Sequence, residues 1–82
     1  MRILLHPIST EKAIRAIEVE NKIAFVTDLR ANKIQIKNEV EKMFKVRVDK
    51  INTHIRNNKK IAIIKLKQDT PAIDVATKLG LI

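Results

Sequence analysis

Apolar residues recur along Ala31 to Thr53 first at one period and then at another, and the change of period marks a change of element. Ile36, Val40, Met43 and Phe44 stand at i, i+4, i+7 and i+8, the stripe of an amphipathic helix, and Asn32 with Gln35 three residues later supplies an N-cap and a capping box. Val46 and Val48 then lead into a strand through about Arg56. Asn57 and Asn58 make a tight turn, and Lys60 to Lys67 returns as the second arm of a hairpin. Upstream, Arg2 to Leu5 reads as a short strand broken by Pro7, Ser9 or Thr10 caps a helix running to about Ile17, and Lys22 to Asp28 reads as the next strand. Thr70 and Pro71 open a last helix, with Asp69 and Asp74 near its start, Lys78 near its end and Gly80 in the C′ position.

Alternation within the strands predicts the sheet. Ile23 and Phe25 point one way while Ala24 and Val26 point the other, and Ile61 and Ile63 oppose Ala62, Ile64 and Leu66. Strands apolar on both faces belong at the centre of a sheet, so these two are central. The short first strand and the third, which carries Arg47, Asp49, Lys50, Asn52 and His54, fit the edges. The expected fold is α+β, a small sandwich with a mostly antiparallel four-stranded sheet in the order 1-2-4-3. Helices cover it, and the chain order is β-α-β-α-β-β-α. The 82 residues suffice for one domain, residues 1–82; the one glycine and both prolines sit at element ends, and there is neither a repeat nor a low-complexity segment.

Charge changes the picture next. Seventeen Lys and Arg stand against nine Asp and Glu, a formal net charge of +8 spread through the chain, which implies a polyanionic partner, nucleic acid above all. The chain has no Cys, and His6 and His54 cannot by themselves supply a zinc cage, so no metal site is expected. The start, MRILLHP, is too short an apolar run for a signal peptide or membrane span, and predicts a cytoplasmic protein without membrane insertion. Phe25 and Phe44 are the only aromatic residues of the Phe, Trp and Tyr set, and both occupy core-type positions. The chain therefore offers no exposed aromatic platform on which to stack single-stranded bases.

The second and third helices treat their dipoles differently. The last one obeys the dipole and reads as structural. The helix capped by Asn32 places Lys33 and Lys37, and no acid, in its first half, where the backbone already presents partial positive charge. An external phosphate would relieve that arrangement. The plain alternative is two solvated lysines, since exposed charge on a helix costs only tenths of a kcal/mol.

Motifs then accumulate in order: His6-Pro7, Ser9-Thr10-Glu11-Lys12-Ala13, Asn21-Lys22 opening a strand that ends in Asp28, Asn32-Lys33, Ile36-Lys37, Val40-Glu41, Phe44, Val46, Asn52-Thr53, Lys65-Leu66, Ala76 and Leu79-Gly80. Taken together, from His6 to the C-terminus, the chain resembles the large-subunit ribosomal proteins of the L-twenty-three family. The resemblance implies binding to large-subunit ribosomal RNA beside the nascent-peptide exit tunnel. It also implies a docking surface for the signal recognition particle and other nascent-chain factors, and protein neighbours of the L-twenty-nine family. The chain departs from the bacterial pattern, which has a long loop between the last two strands; here Arg56-Asn57-Asn58-Lys59-Lys60 closes directly. It is closer to the short archaeal-type form, and no tunnel-lining role is carried over. Ile61 also separates Lys60 from Ala62, where the family has two basic residues directly before a small one.

Proteins on folded ribosomal RNA read mainly shape, phosphates and 2′-hydroxyls, with Lys, Arg and short polar side chains. Lys33, Lys37, Asn52, Thr53, Arg56, Lys59 and Lys60 supply such groups, Arg30 and Asn32 sit at the helix entry, and Lys12 and Lys22 match basic positions of the family. Glu11 matches the family's factor-docking glutamate. Each has a structural alternative: Asn32 as a cap only, and Glu11 as a dipole partner with Arg15 at i, i+4. Lys42 and Lys45 read as solvated partners of Glu39 and Glu41, with Glu41 and Lys45 in the favoured i, i+4 orientation. Such binding needs no cofactor. No catalytic residue is expected, since no nucleophile accompanies the histidines and no glycine loop is present to cradle phosphate. The rival class is a small basic architectural protein on DNA or RNA outside the ribosome, yet neither a helix-turn-helix spacing nor a long basic arm appears.

Overall fold

The computed structural model describes residues 2–82 and consists of β1 (Leu4–Pro7), α1 (Glu11–Glu20), β2 (Lys22–Thr27), α2 (Lys33–Phe44), β3 (Val48–Arg56), β4 (Lys59–Leu66) and α3 (Ala72–Lys78). The four strands form one antiparallel sheet in the order β1-β2-β4-β3, as the alternation predicted. β3 and β4 meet through Asn57 and Asn58, whose φ of 53° and 61° place both in the left-handed region. This is the two-residue type I′ geometry that matches strand twist, and asparagine tolerates it because its short polar side chain bonds locally.

One sheet face is dry. Ile23, Phe25, Ala62, Ile64 and Leu66 alternate onto it, and Ile36, Val40 and Phe44 of α2, Val75 and Ala76 of α3 and Ile17 of α1 complete a continuous core. The Phe25 and Phe44 rings lie 6.0 Å apart and tilted, within the favourable range for an aromatic pair. Met43 departs from the predicted stripe and is half exposed, because Ile36, Val40 and Phe44, spaced four residues apart, already form the buried face of α2.

Several boundaries differ from the sequence reading: β2 ends at Thr27 and not Asp28, and β4 spans Lys59–Leu66 and not Lys60 to Lys67. β1 is shifted to Leu4–Pro7 and includes the proline that was expected to break it. It is an edge strand, where a missing N–H costs no ladder bond, and pairing resumes at once with Ile8 N–H donating to the Ala24 carbonyl at 2.9 Å. α1 runs to Glu20 instead of Ile17 and ends where Asn21 turns left-handed at φ 56°.

Asn21 then does more than end a helix. Its side-chain N–H groups donate to the carbonyls of Leu66, Lys67 and Thr70 at 3.1–3.2 Å, and its Oδ1 accepts the Ala72 N–H at 2.6 Å. α3, whose own N-cap is Pro71 and makes no side-chain cap bond, is therefore capped from a residue 51 positions away in the chain.

Candidate nucleic-acid interface

The second sheet face is built from the other half of the alternation. Register places Lys22, Lys65 and Lys50 in one cross-strand row, Ala24, Ile63 and Asn52 in the next, Val26, Ile61 and His54 in the third, and Lys59 opposite Arg56 at the hairpin end. Among the predicted site residues, Lys22, Asn52, Arg56 and Lys59 thus share one face, and the last three are exposed. α1 borders this face beside β2. Between them runs an open groove of about 240 Å³, lined by Ala13, Ala16, Ala24, Ile61 and Ile63, with Lys12, Glu20 and Lys22 also on its walls. Lys22 is drawn toward Glu20, Nζ to Oε1 3.8 Å.

A second group gathers at the start of α2. The capping box is complete: Asn32 Oδ1 accepts the Gln35 N–H at 2.8 Å and Gln35 Oε1 accepts the Asn32 N–H at 3.0 Å. The cap role read for Asn32 is therefore real, and its side-chain NH₂ is left for another partner. Lys33 and Lys37 are exposed, and with Asp49 and Lys50 they line a shallow concavity at the β3 edge. No acid lies in the first turn of α2.

Other candidates are already engaged by the fold. Lys60 faces the dry side of the sheet and donates from Nζ to the Ala31 carbonyl at 2.6 Å, anchoring the approach to α2. Thr53 lies on that same side, opposite Ala62, and is half-buried. Arg30 is held by Asp28: its Nε and Nη2 donate to the two carboxylate oxygens, each at 3.0 Å, and its backbone N–H donates to Oδ1 at 2.8 Å. The Arg30 side-chain and backbone bonds together lower the Asp28 carboxyl from its ordinary value to about 2. Glu11 is exposed in the first turn of α1, where Thr10 caps the helix through Ala13 N–H, and the expected ion pair with Arg15 is not formed.

The Glu41–Lys45 pair is not formed either. Glu41 turns inward to accept the Val48 N–H at 3.0 Å, tying the end of α2 to the start of β3, while Lys45 is the left-handed C-cap of the helix at φ 55°. A carboxylate that satisfies a half-buried backbone donor gains more than one that pairs in solvent.

Lys50, His54 and Lys65, which the sequence reading did not assign to an interface, join the second face because of strand register. The residues themselves carried the alternation, but their alignment across three strands is visible only once the strands are paired. Among the described residues, no group of three His, Cys, Asp or Glu comes together to hold a metal ion, and no helix is long and apolar enough to cross a membrane.

The family model described as "Ribosomal protein L23" matches residues 2–73. A curated relative from Schizosaccharomyces pombe, "Large ribosomal subunit protein uL23B", is 45% identical over 80 residues, covering 96% of this chain and 57% of the relative, so the chain spans little more than half of that protein's length. Matched over most of its residues by the family model and by this relative, the chain belongs to the ribosomal protein L23 family of the large ribosomal subunit.

Proposed function

We propose that this chain is a structural component of the large ribosomal subunit that binds large-subunit ribosomal RNA near the peptide exit tunnel and contributes a docking surface for nascent-chain factors. The observation that carries the reading is the 45% identity to a large-subunit protein across nearly the whole chain. The charge distribution supports it: three ion pairs engage three of seventeen basic residues among the described residues. Lys22, Asn52, Arg56 and Lys59 on the sheet, Lys12 beside it and Asn32, Lys33 and Lys37 on α2 are then the RNA-facing groups. Arg30 and Lys60 act first as supports of the α2 entry, and Thr53 borders the surface. Glu11 serves the factors, and a protein of the L-twenty-nine family packs alongside.

Co-sedimentation of the tagged protein with ribosomal particles under graded salt tests the reading. Comigration with the large subunit that resists moderate salt is expected; a free monomer at every salt concentration would overturn it.

Two substitutions separate the surfaces. Lys33→Glu with Lys37→Glu places acids in the first turns of α2, so the isolated fold should keep or gain tenths of a kcal/mol. Binding to ribosomal RNA should weaken roughly hundredfold through two lost phosphate contacts. Thermal unfolding and filter binding measure the two opposite signs, and wild-type affinity in the double variant would turn the α2 end toward solvent. Glu11→Ala should leave subunit incorporation intact, because a carboxylate does not hold phosphate, while weakening factor association with assembled ribosomes several-fold. Pelleting of factors with ribosomes carrying the variant reads this directly, and normal factor binding with lost incorporation would reverse the assignment.

A further inference from the structure

We propose that Lys22, Lys65 and Lys50 form a lysine row across three strands that grips the phosphates of one strand of ribosomal RNA. The inference deepens the ribosomal reading above and rests on it. Lys22 is directly opposite Lys65, and Lys65 is directly opposite Lys50, so three like charges occupy one line across β2, β4 and β3. Two strand spacings make that line about 10 Å long. Like charges directly opposite one another destabilise a sheet. The row is therefore a local conflict within the free fold.

The surroundings do not resolve the conflict. Lys22 has Glu20 at 3.8 Å, but Lys50 and Lys65 have no ion-pair partner among the described residues. Asp49, next to Lys50, lies on the irregularity between Val48 and Lys50 where the register shifts, and it is exposed. α1 borders the face on the β2 side only, and the ammonium groups of Lys50 and Lys65 stand in solvent. At its β3 end the row runs into the concavity that holds Lys33 and Lys37, so the positive band continues around the sheet edge. A chain of phosphates neutralises such a line one charge at a time, which a single carboxylate cannot do. A folded RNA backbone also reaches a sheet face without needing the aromatic side chains this chain lacks on its surface.

The test is a filter-binding titration of the full chain against deproteinised large-subunit ribosomal RNA at several salt concentrations, comparing wild type with Lys50→Gln plus Lys65→Gln. Each lost phosphate contact lowers the slope of log affinity against log salt by about 0.7–0.9, so the double variant should lose about 1.5 in slope, or roughly 30-fold in affinity at 0.1 M salt. Its thermal midpoint should be unchanged or higher, since a repulsion has been removed. Lys42→Gln with Lys45→Gln changes net charge equally at the far end of α2 and should keep the wild-type slope. Equal loss in that control would reduce the effect to net charge and overturn the row, and a marked fall in thermal midpoint for the Lys50 and Lys65 variant would assign those lysines to the fold. Wild-type slope in that variant, with wild type itself binding steeply, overturns the row alone. Absence of salt-dependent binding by wild type would defeat the ribosomal reading and the row with it.

Discussion

Raising salt from about 50 to about 200 mM should weaken the complex of this protein with deproteinised large-subunit ribosomal RNA by about a thousandfold. The magnitude follows from counting. Setting aside Lys50 and Lys65, whose contacts would only steepen the dependence, Arg30 is held by Asp28 and Lys60 by the Ala31 carbonyl, which leaves Lys12, Lys22, Lys33, Lys37, Arg56 and Lys59. Six contacts at a slope of about 0.7–0.9 each give a total slope of roughly 4–5, and a fourfold rise in salt then costs between about 300-fold and 2000-fold. Burial of apolar surface would leave affinity nearly indifferent to salt, and the exposed apolar side chains here, among them Val19, Ile34 and Ile55, lie on three different elements. A filter-binding series across that range is sufficient. A flat dependence would remove the electrostatic basis of the proposed function.

Replacing Asn21 by alanine should cost about 3 kcal/mol and lower the thermal midpoint by roughly 15 °C. Two losses combine. The left-handed backbone at φ 56° is tolerated by asparagine but costs a Cβ-bearing apolar residue roughly 1–2 kcal/mol. The side chain also caps α3 and serves the carbonyls of Leu66, Lys67 and Thr70, so its removal leaves four backbone groups without their partner. For a domain of this size, whose total stability is on the order of several kcal/mol, that is a large share. Asn21→Gly keeps the backbone conformation and loses only the side-chain bonds, so it should fall between wild type and Asn21→Ala. Denaturant unfolding of the three proteins measures the split; equal stability of the glycine and wild-type forms would show that the four bonds contribute nothing.

Much of the fold was legible because local rules agreed with global ones. The capping box at Asn32 and Gln35, the Asn57-Asn58 turn and Gly80 at φ 76° all act within a few residues of themselves. Strand pairing was legible at the level of order, since only β2 and β4 are apolar on both faces. Where a boundary slipped, a partner outside the local window decided it. Pro7 stays in β1 because the strand is at the sheet edge, and Glu41 leaves Lys45 because the Val48 N–H lies within reach. The candidate site was legible as a list of basic and polar residues and not as a surface. Side-chain type marks what can meet phosphate, but the carbonyl that captures Lys60 and the sheet side that receives Thr53 come from other parts of the chain.

By itself, then, the sequence determined the element order, the helix and turn signals and the surplus of positive charge, because periodicity, capping and charge count are properties of neighbours or of sums. Tertiary structure alone decided that Asn21 caps a helix 51 residues away and that Lys60 anchors the entry to α2. It also decided that Lys22, Lys65 and Lys50 stand in one line. Each of these needs residues distant in the chain to be brought within a few ångströms, with a register that one slipped residue would reverse from one face of the sheet to the other.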